Sequence, residues 1–346
     1  MPQASSSLLQ RVLTALPELP ARVPHGLHAF FYHTVSDRQL AHARHLYGYK
    51  SSPQFERDLA WLKQRFTLVG HADIVRHLRG EAPLPAGAAS VSFDDGLAEC
   101  FHVARPLLRK HGVPCTFFVV RDLVDNAHLM HKSAVSLCLD VLEGARDDEL
   151  AALVVRAGDA LGARFDSRAA LAAALRALTI LDDARVRAAC KAFGVDDAEA
   201  LRARPYLTSD QIRQLAREGF TIGGHTTRHA ELERLSSFEE VEREIVESCA
   251  YVRDLTGQRE VPFAITFNGL RLPRGPLRAL LARHPFIDAI YDTNDLMHDA
   301  EFVVNRIWAD TPVGAEDATN LPFLLKRAKA LEPVRRWKRR LQRLPR

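Results

Sequence analysis

The sequence predicts an α/β fold built on a parallel sheet or barrel. Short apolar runs alternate with amphipathic helical stretches from about residue 25 onward. Those runs are apolar along their whole length and are bounded by turn residues or acids, as strands covered on both faces are. With 346 residues, 47% hydrophobic and 26% charged, the chain has the make-up of a globular protein that buries a sizeable core.

Six strands are predicted in order: Leu27–Tyr32, Ser90–Phe93, Thr116–Val120, Phe220–Ile222, Phe263–Phe267 and Ile287–Tyr291. Between them the helices are marked by spacing and by end signals. Pro53–Phe66 sets Phe55, Leu59, Leu62 and Phe66 on one face. Leu97–His111 follows a glycine and stops at Gly112-Val113-Pro114. Ser237 with Glu240 three residues on reads as a capping box, and Val241, Ile245 and Val252 carry the stripe towards Gly257. Residues 125–205 differ: rich in Ala, Leu, Arg and Asp and poor in aromatics, they read as a helical insertion. A lid over a barrel mouth is its functional reading, and decoration or an oligomer contact its plain one.

The ends of the chain are distinct from its middle. Residues 1–24 read as an N-terminal extension whose apolar residues are interrupted by Arg11, Glu18 and two prolines, so no signal-peptide core forms. There is no apolar run long enough for a transmembrane helix. Five cysteines without a CxxC pair argue against a disulfide framework or a thiolate zinc site, and read as reduced thiols. The expectation is a cytoplasmic protein. From Lys326 to Arg346 ten Lys or Arg face only Glu332, so the net charge of +4 belongs to the tail and the rest is acidic by five. Residues 321–346, basic with spaced apolar residues and Trp337, have the composition of a helix lying on an anionic membrane surface. Peripheral contact with the inner face of the membrane is therefore expected. No nucleic-acid partner is expected, because charge alone without an aromatic platform or motif does not make one.

Three segments carry chemistry. Ser-Val-Ser-Phe-Asp94-Asp95-Gly96 places two adjacent acids where a predicted strand ends, the position at which barrels and open α/β sheets put their active sites. On its own Asp-Gly is also a common turn dipeptide. Gly223-Gly224-His225-Thr226-Thr227-Arg228-His229 again follows a short strand; its two histidines share a face if the segment turns helically, and its glycines would let backbone approach a ligand. Two imidazoles and one carboxylate leave positions free on a metal for water and substrate, while the other carboxylate is available as a base. Phe30-Phe31-Tyr32-His33-Thr34 ends the first strand with a histidine suited to proton delivery near neutral pH.

The order of these segments resembles the polysaccharide deacetylases, the family-four carbohydrate esterases with a NodB-homology domain. SFDDG followed by a helix and GVPCTFFVV is similar to their first motif, and LTSDQIRQLAREGFTIGGHTTRHAEL to their second. YHTVSD, the helix SPQFERDLAWLKQRFTLV and RLSSFEEVEREIVESCAYVRDLTG also match, over roughly residues 27–125 and 205–310. The resemblance implies a distorted (β/α) barrel with fewer than eight repeats spanning residues 25–320, and a divalent metal, commonly zinc. It further implies that Asp95, His225 and His229 bind the metal, that Asp94 is the general base and that His33 is the acid towards the leaving amine. Leu296-Met297-His298 has the spelling of a late motif that supplies the acid in many members, which makes His298 the second candidate. Thr226, Asn268 and Arg306 are expected against the substrate. The third motif departs from the family: Thr266 stands where a proline is usual, and the arginine that steadies the base is missing before it.

Three functions follow as expectations. The first is a metal-dependent N-deacetylase of an N-acylated sugar or lipid-linked glycan in polysaccharide or surface-glycan biosynthesis. The second is a deformylase or small linear amide hydrolase on the same fold. The third is a non-catalytic glycan-binding relic.

Overall fold

The computed structural model describes residues 23–315 and 318–342. The expected N-terminal extension therefore lies almost wholly outside the described residues. Among the described residues there are eight strands: β1 Leu27–Tyr32, β2 Thr67–Leu68, β3 Ala88–Phe93, β4 Cys115–Val119, β5 Thr221–Gly224, β6 Val261–Ala264, β7 Ile287–Asp292 and β8 Val303–Trp308. All pair in parallel, and β1 pairs with both β3 and β8, so seven of them close a barrel. The short β2 lies on the outer edge of β3, at Ala88 and Ala89, ahead of the point where β4 joins at Val91.

The pleat explains the division of residues. Leu27, Ala29, Ala264, Ala289, Tyr291, Val304 and Phe118 form a small cluster inside the barrel, where alanines make room for larger partners. The alternate residues Phe30, Tyr32, Val91, Phe93 and Phe117 face outward into the main core beneath the helices. Two strands were not legible as such: β2 is two residues long, and β8 carries Asn305 and Arg306 in the middle of its apolar run. The other strands agree with expectation within a few residues, except that β6 ends at Ala264 and releases Ile265–Asn268 as a loop.

Helices cover the outside. The helix Ser52–Arg65 is capped by Ser51 and buries Phe55, Leu59 and Leu62. The helix Phe238–Thr256 is capped by Ser237, which accepts from Glu240 N at 3.2 Å. The Glu240 carboxylate turns instead to Ser236, so only half of the expected capping box forms. The insertion contributes α-helices at His131–Gly144, Asp147–Leu161, Arg168–Ala177, Asp183–Phe193 and Asp197–Arg202, around a core of their own. All five cysteines are free and buried.

The basic tail forms a helix over Leu321–Gln342, with Pro333 inside it. Leu321, Leu324, Leu325 and Ala328 are buried in the main core against the barrel. This corrects the expectation for the first half of the stripe, whose apolar side is spent on the protein itself. No helix among the described residues is long and apolar enough to cross a membrane.

Candidate metal centre and active site

Asp94 and His225 are held by continuation of the barrel's own hydrogen bonding. Asp94 N donates to Tyr32 O at 2.9 Å, and His225 N donates to Val119 O at 3.0 Å. These ladders bring the ends of β1, β3 and β5 to one face of the barrel. A cavity of about 590 Å³ opens there, lined by His33, Asp94, Asp95, His225, His229 and Asn268 among others.

Asp95, His225 and His229 form a buried cluster, with one potential ligand atom from each lying within 4.8 Å of the others. His225 Nε2 stands 3.3 Å and His229 Nε2 3.2 Å from the same oxygen, Asp95 Oδ1. That oxygen is buried and has no hydrogen-bond partner, while Oδ2 accepts from the Tyr47 hydroxyl at 3.0 Å. His225 Nδ1 lies 2.8 Å from Ala264 O, so it carries the proton and leaves Nε2 with a lone pair towards Asp95. A buried carboxylate oxygen without a donor, facing two imidazole nitrogens, fits a divalent cation and little else.

The second histidine segment is not helical. It is a loop with left-handed backbone at Thr226 (φ 66°) and His229 (φ 59°), and Asp95 has φ 69°. Such conformations cost energy and persist where surrounding structure imposes them. Here the imposing group is the buried Glu244 of the helix Phe238–Thr256, which accepts from Thr227 N at 2.8 Å and from its hydroxyl, and pairs with Arg228 at 3.0 Å. The glycines do not serve ligand approach, as expected from sequence, but packing. A Cβ on Gly224 would meet Ser248 Oγ and Cys249 Sγ at 2.8 Å.

Asp94 receives a bidentate pair from Arg306, Nη1 to Oδ1 at 2.7 Å and Nη2 to Oδ2 at 2.8 Å. Arg306 is wholly buried, also donates to Ser92 Oγ at 3.0 Å, and stacks 4.5 Å from the Phe31 ring. It lies beneath Asp94 and does not line the cavity, so it is not a substrate contact. It approaches Asp94 from β8, whereas no arginine stands directly before Thr266 in the third motif. Thr226 is likewise no substrate contact: it is fully buried and its hydroxyl accepts from Ala230 N at 3.3 Å. Asn268 is exposed at the cavity rim. Thr266, in the place of the usual proline, is buried and donates to Ala230 O, which ties the third-motif loop to the histidine loop.

His33 lines the same cavity, with Nδ1 2.5 Å from Asp310 Oδ2 and its ring stacked on Tyr47 at 4.2 Å. Burial alone would lower its pKa, but the Asp310 carboxylate, with Asp95 and Asp94 behind it, raises it to about 9. The rival His298 is exposed and packs 5.9 Å from His25, which precedes β1 at the opposite end of the barrel. Sequence reasoning missed Tyr47, Asp310 and Glu244. Asp310 follows β8, a strand that was itself not legible, and Tyr47 sits in an irregular loop, so neither had a usable signal.

A closed parallel barrel with a buried Asp-His-His cluster and a clamped second carboxylate at its carboxyl end defines a hydrolase-type site on a TIM-like scaffold. The profile of the family described as polysaccharide deacetylase matches residues 81–275. The chain belongs to the polysaccharide deacetylase family and is by that membership a deacetylase-type hydrolase. Among solved structures it is similar to IcaB from Ammonifex degensii, at 17% identity and TM-score 0.52, over 88% of this chain and 97% of that one. It is also similar to the Streptococcus pyogenes deacetylase PplD in complex with acetate, at 15% identity and TM-score 0.50, over 84% and 93%. These two share the fold. No curated protein matches the sequence.

Proposed function

We propose that the protein is a metal-dependent N-deacetylase acting on an N-acetylated or otherwise N-acylated sugar in polysaccharide or surface-glycan assembly. The observation that carries this reading is the partnerless Asp95 Oδ1, faced by two imidazoles on the floor of a cavity it shares with the clamped Asp94. Asp95, His225 and His229 would hold the divalent ion, with zinc as the first choice for two nitrogens and one oxygen. When bound, the ion supplies Lewis acidity for the amide carbonyl and for the attacking water.

The chain's own residues supply the proton transfers. Asp94, held in one plane by the Arg306 fork, takes the proton of the water. His33, charged near neutral pH because Asp310 outweighs its burial, gives a proton to the departing sugar amine. Tyr47 spans the two, donating to Asp95 while its ring orients the imidazole of His33. Asn268 at the rim is proposed to contact the sugar.

The test is metal content of the purified protein, followed by acetate release from N-acetylglucosamine oligomers after stripping and restoring zinc. Bound metal, and zinc-dependent release that Asp95→Asn abolishes, is the expected result. A preparation that holds no metal and releases nothing when zinc is added overturns the reading. A lipid-linked glycan as substrate and contact of the tail with membrane belong to the same proposal, supported by the ten basic residues after Leu325. Because Leu321–Ala328 pack into the core, the informative truncation ends after Pro333. Undiminished binding of that truncation to anionic vesicles removes the membrane proposal.

A further inference from the structure

One wall of the cavity is made by the helical insertion. On the helix His131–Gly144, Lys132, Val135 and Leu139 fall on one face, and all three line the cavity, together with Arg176 from the end of the helix Arg168–Ala177. Two permanent cations thus border a cavity whose lining contains only two acids, Asp94 and Asp95. Both acids are already committed, one to Arg306 and the other to two histidines.

The cations themselves have no such commitment. Among the described residues neither Lys132 nor Arg176 has a carboxylate within ion-pair distance. Glu231 and Asp182 act on Lys132 only from farther off. The Lys132 ammonium donates to Leu178 O at 2.7 Å and to Arg176 O at 3.4 Å, which fixes it at the end of the second helix without neutralising it. It lies 5.7 Å from the centre of the Phe267 ring, and His229 packs 5.0 Å from that same ring. The ammonium is therefore one aromatic side chain away from the metal-binding cluster. A half-buried cation without a counter-ion is costly, and an anion bound beside it offsets that cost.

We propose that Lys132 and Arg176 form an anion-recognising wall. The substrate is an N-acylated sugar that carries a phosphate ester or a carboxylate, gripped by these two residues while its acyl group lies at Asp95, His225 and His229. This rests on the N-deacetylase reading and narrows its substrate to anionic sugars.

The experiment uses the zinc-loaded full chain and three probes: N-acetylglucosamine, its 1-phosphate and N-acetylmuramic acid. A phosphate-selective wall favours the second probe, and a carboxylate-selective one the third. The expected kcat/KM for the favoured anionic probe exceeds that for the neutral sugar by roughly tenfold or more, mainly through KM, and falls with added salt. Arg176→Gln and Lys132→Gln shrink the ratio towards one, and Arg176→Glu inverts it. Arg176 is exposed, so its variants are expected to fold. Equal kcat/KM for neutral and anionic probes, or a ratio indifferent to Arg176→Glu, overturns the proposal. A binding titration separates the two readings. Acetate release from no probe sinks the deacetylase reading. The anion wall falls on its own if glucosamine, glucosamine 1-phosphate and muramic acid all bind the wild type equally.

Discussion

Replacing Arg306 by methionine tests whether the clamp on Asp94 is what the geometry says. Arg306 and Asp94 are both buried, and the guanidinium makes two bonds to the carboxylate and one to Ser92 Oγ. Methionine keeps much of the stem packed between Phe31 and Phe118, so the cavity left behind is small. What remains is a buried carboxylate with no cation, and breaking such a pair from one side costs about 3–5 kcal/mol. The assay is urea unfolding at pH 7 in chelator, where the midpoint falls and the slope stays constant. Asp94→Asn combined with Arg306→Met removes the stranded charge, so the double variant is more stable than Arg306→Met alone. Arg306→Lys keeps the charge but loses the fork; it recovers part of the stability and little of the deacetylation, because the plane of the base is no longer fixed. An Arg306→Met protein within about 1 kcal/mol of wild type, the range of a surface pair, would refute the reasoning.

Three further outcomes follow from the same structure. Asp310→Asn removes the group that raises His33 to about 9, so the alkaline limb of the pH–rate profile shifts to lower pH; a limb that does not move excludes His33 as the acid. His42 is pushed down to about 4 by burial, and its Nε2 has no partner. It is neutral in the folded protein, so the stability it allows is complete above about pH 6.5 and is lost as pH falls towards 4. His42→Leu should therefore gain on wild type between pH 7 and pH 4.5 by at most about 3 kcal/mol in paired urea titrations, and parallel pH curves would contradict this. Gly224→Ala pushes a methyl into Ser248 and Cys249, at an expected cost of about 1–3 kcal/mol in the urea midpoint, and an unchanged midpoint would mean that this contact relaxes freely.

Legibility in the sequence tracked how local the physics was. The strands β1, β3, β4 and β7 and the helix Ser52–Arg65 could be read because their signal is the spacing of apolar residues within one element. The pairs Asp94–Asp95 and His225–His229 could be read because each sits just past a strand. What the sequence could not show is what those residues meet. The partner of Asp94 is 212 residues away, inside a strand hidden by that same charged residue. The orienter of His33 is 277 residues away, and the hydroxyl against Asp95 comes from a loop without periodicity. Arg306 was taken for a substrate contact on its resemblance to a strand-end arginine, and it lies instead within β8 with its side chain buried.

The same distinction explains how the altered third motif coexists with an otherwise intact site. The buried Asp94 carboxylate needs a cation beside it, and the barrel's interior is one shared space to which every strand contributes. An arginine projecting from β8 reaches the Asp94 carboxylate through that interior: Ala29 faces it across the β1–β8 register and leaves room for the side chain, and the Phe31 and Phe118 rings flank its guanidinium. The place after Phe263 is then free for a loop with another task. Thr266 ties it to the histidine segment, and Phe267, 41% exposed with left-handed backbone, carries its ring between His229 and Lys132. Ile265 lines the same cavity as Asp94, so an arginine at position 265 is placed to reach that carboxylate, and Ile265→Arg combined with Arg306→Met is expected to recover part of the acetate release that Arg306→Met loses. A double variant no more active than Arg306→Met would show that the carboxylate is served from β8 alone.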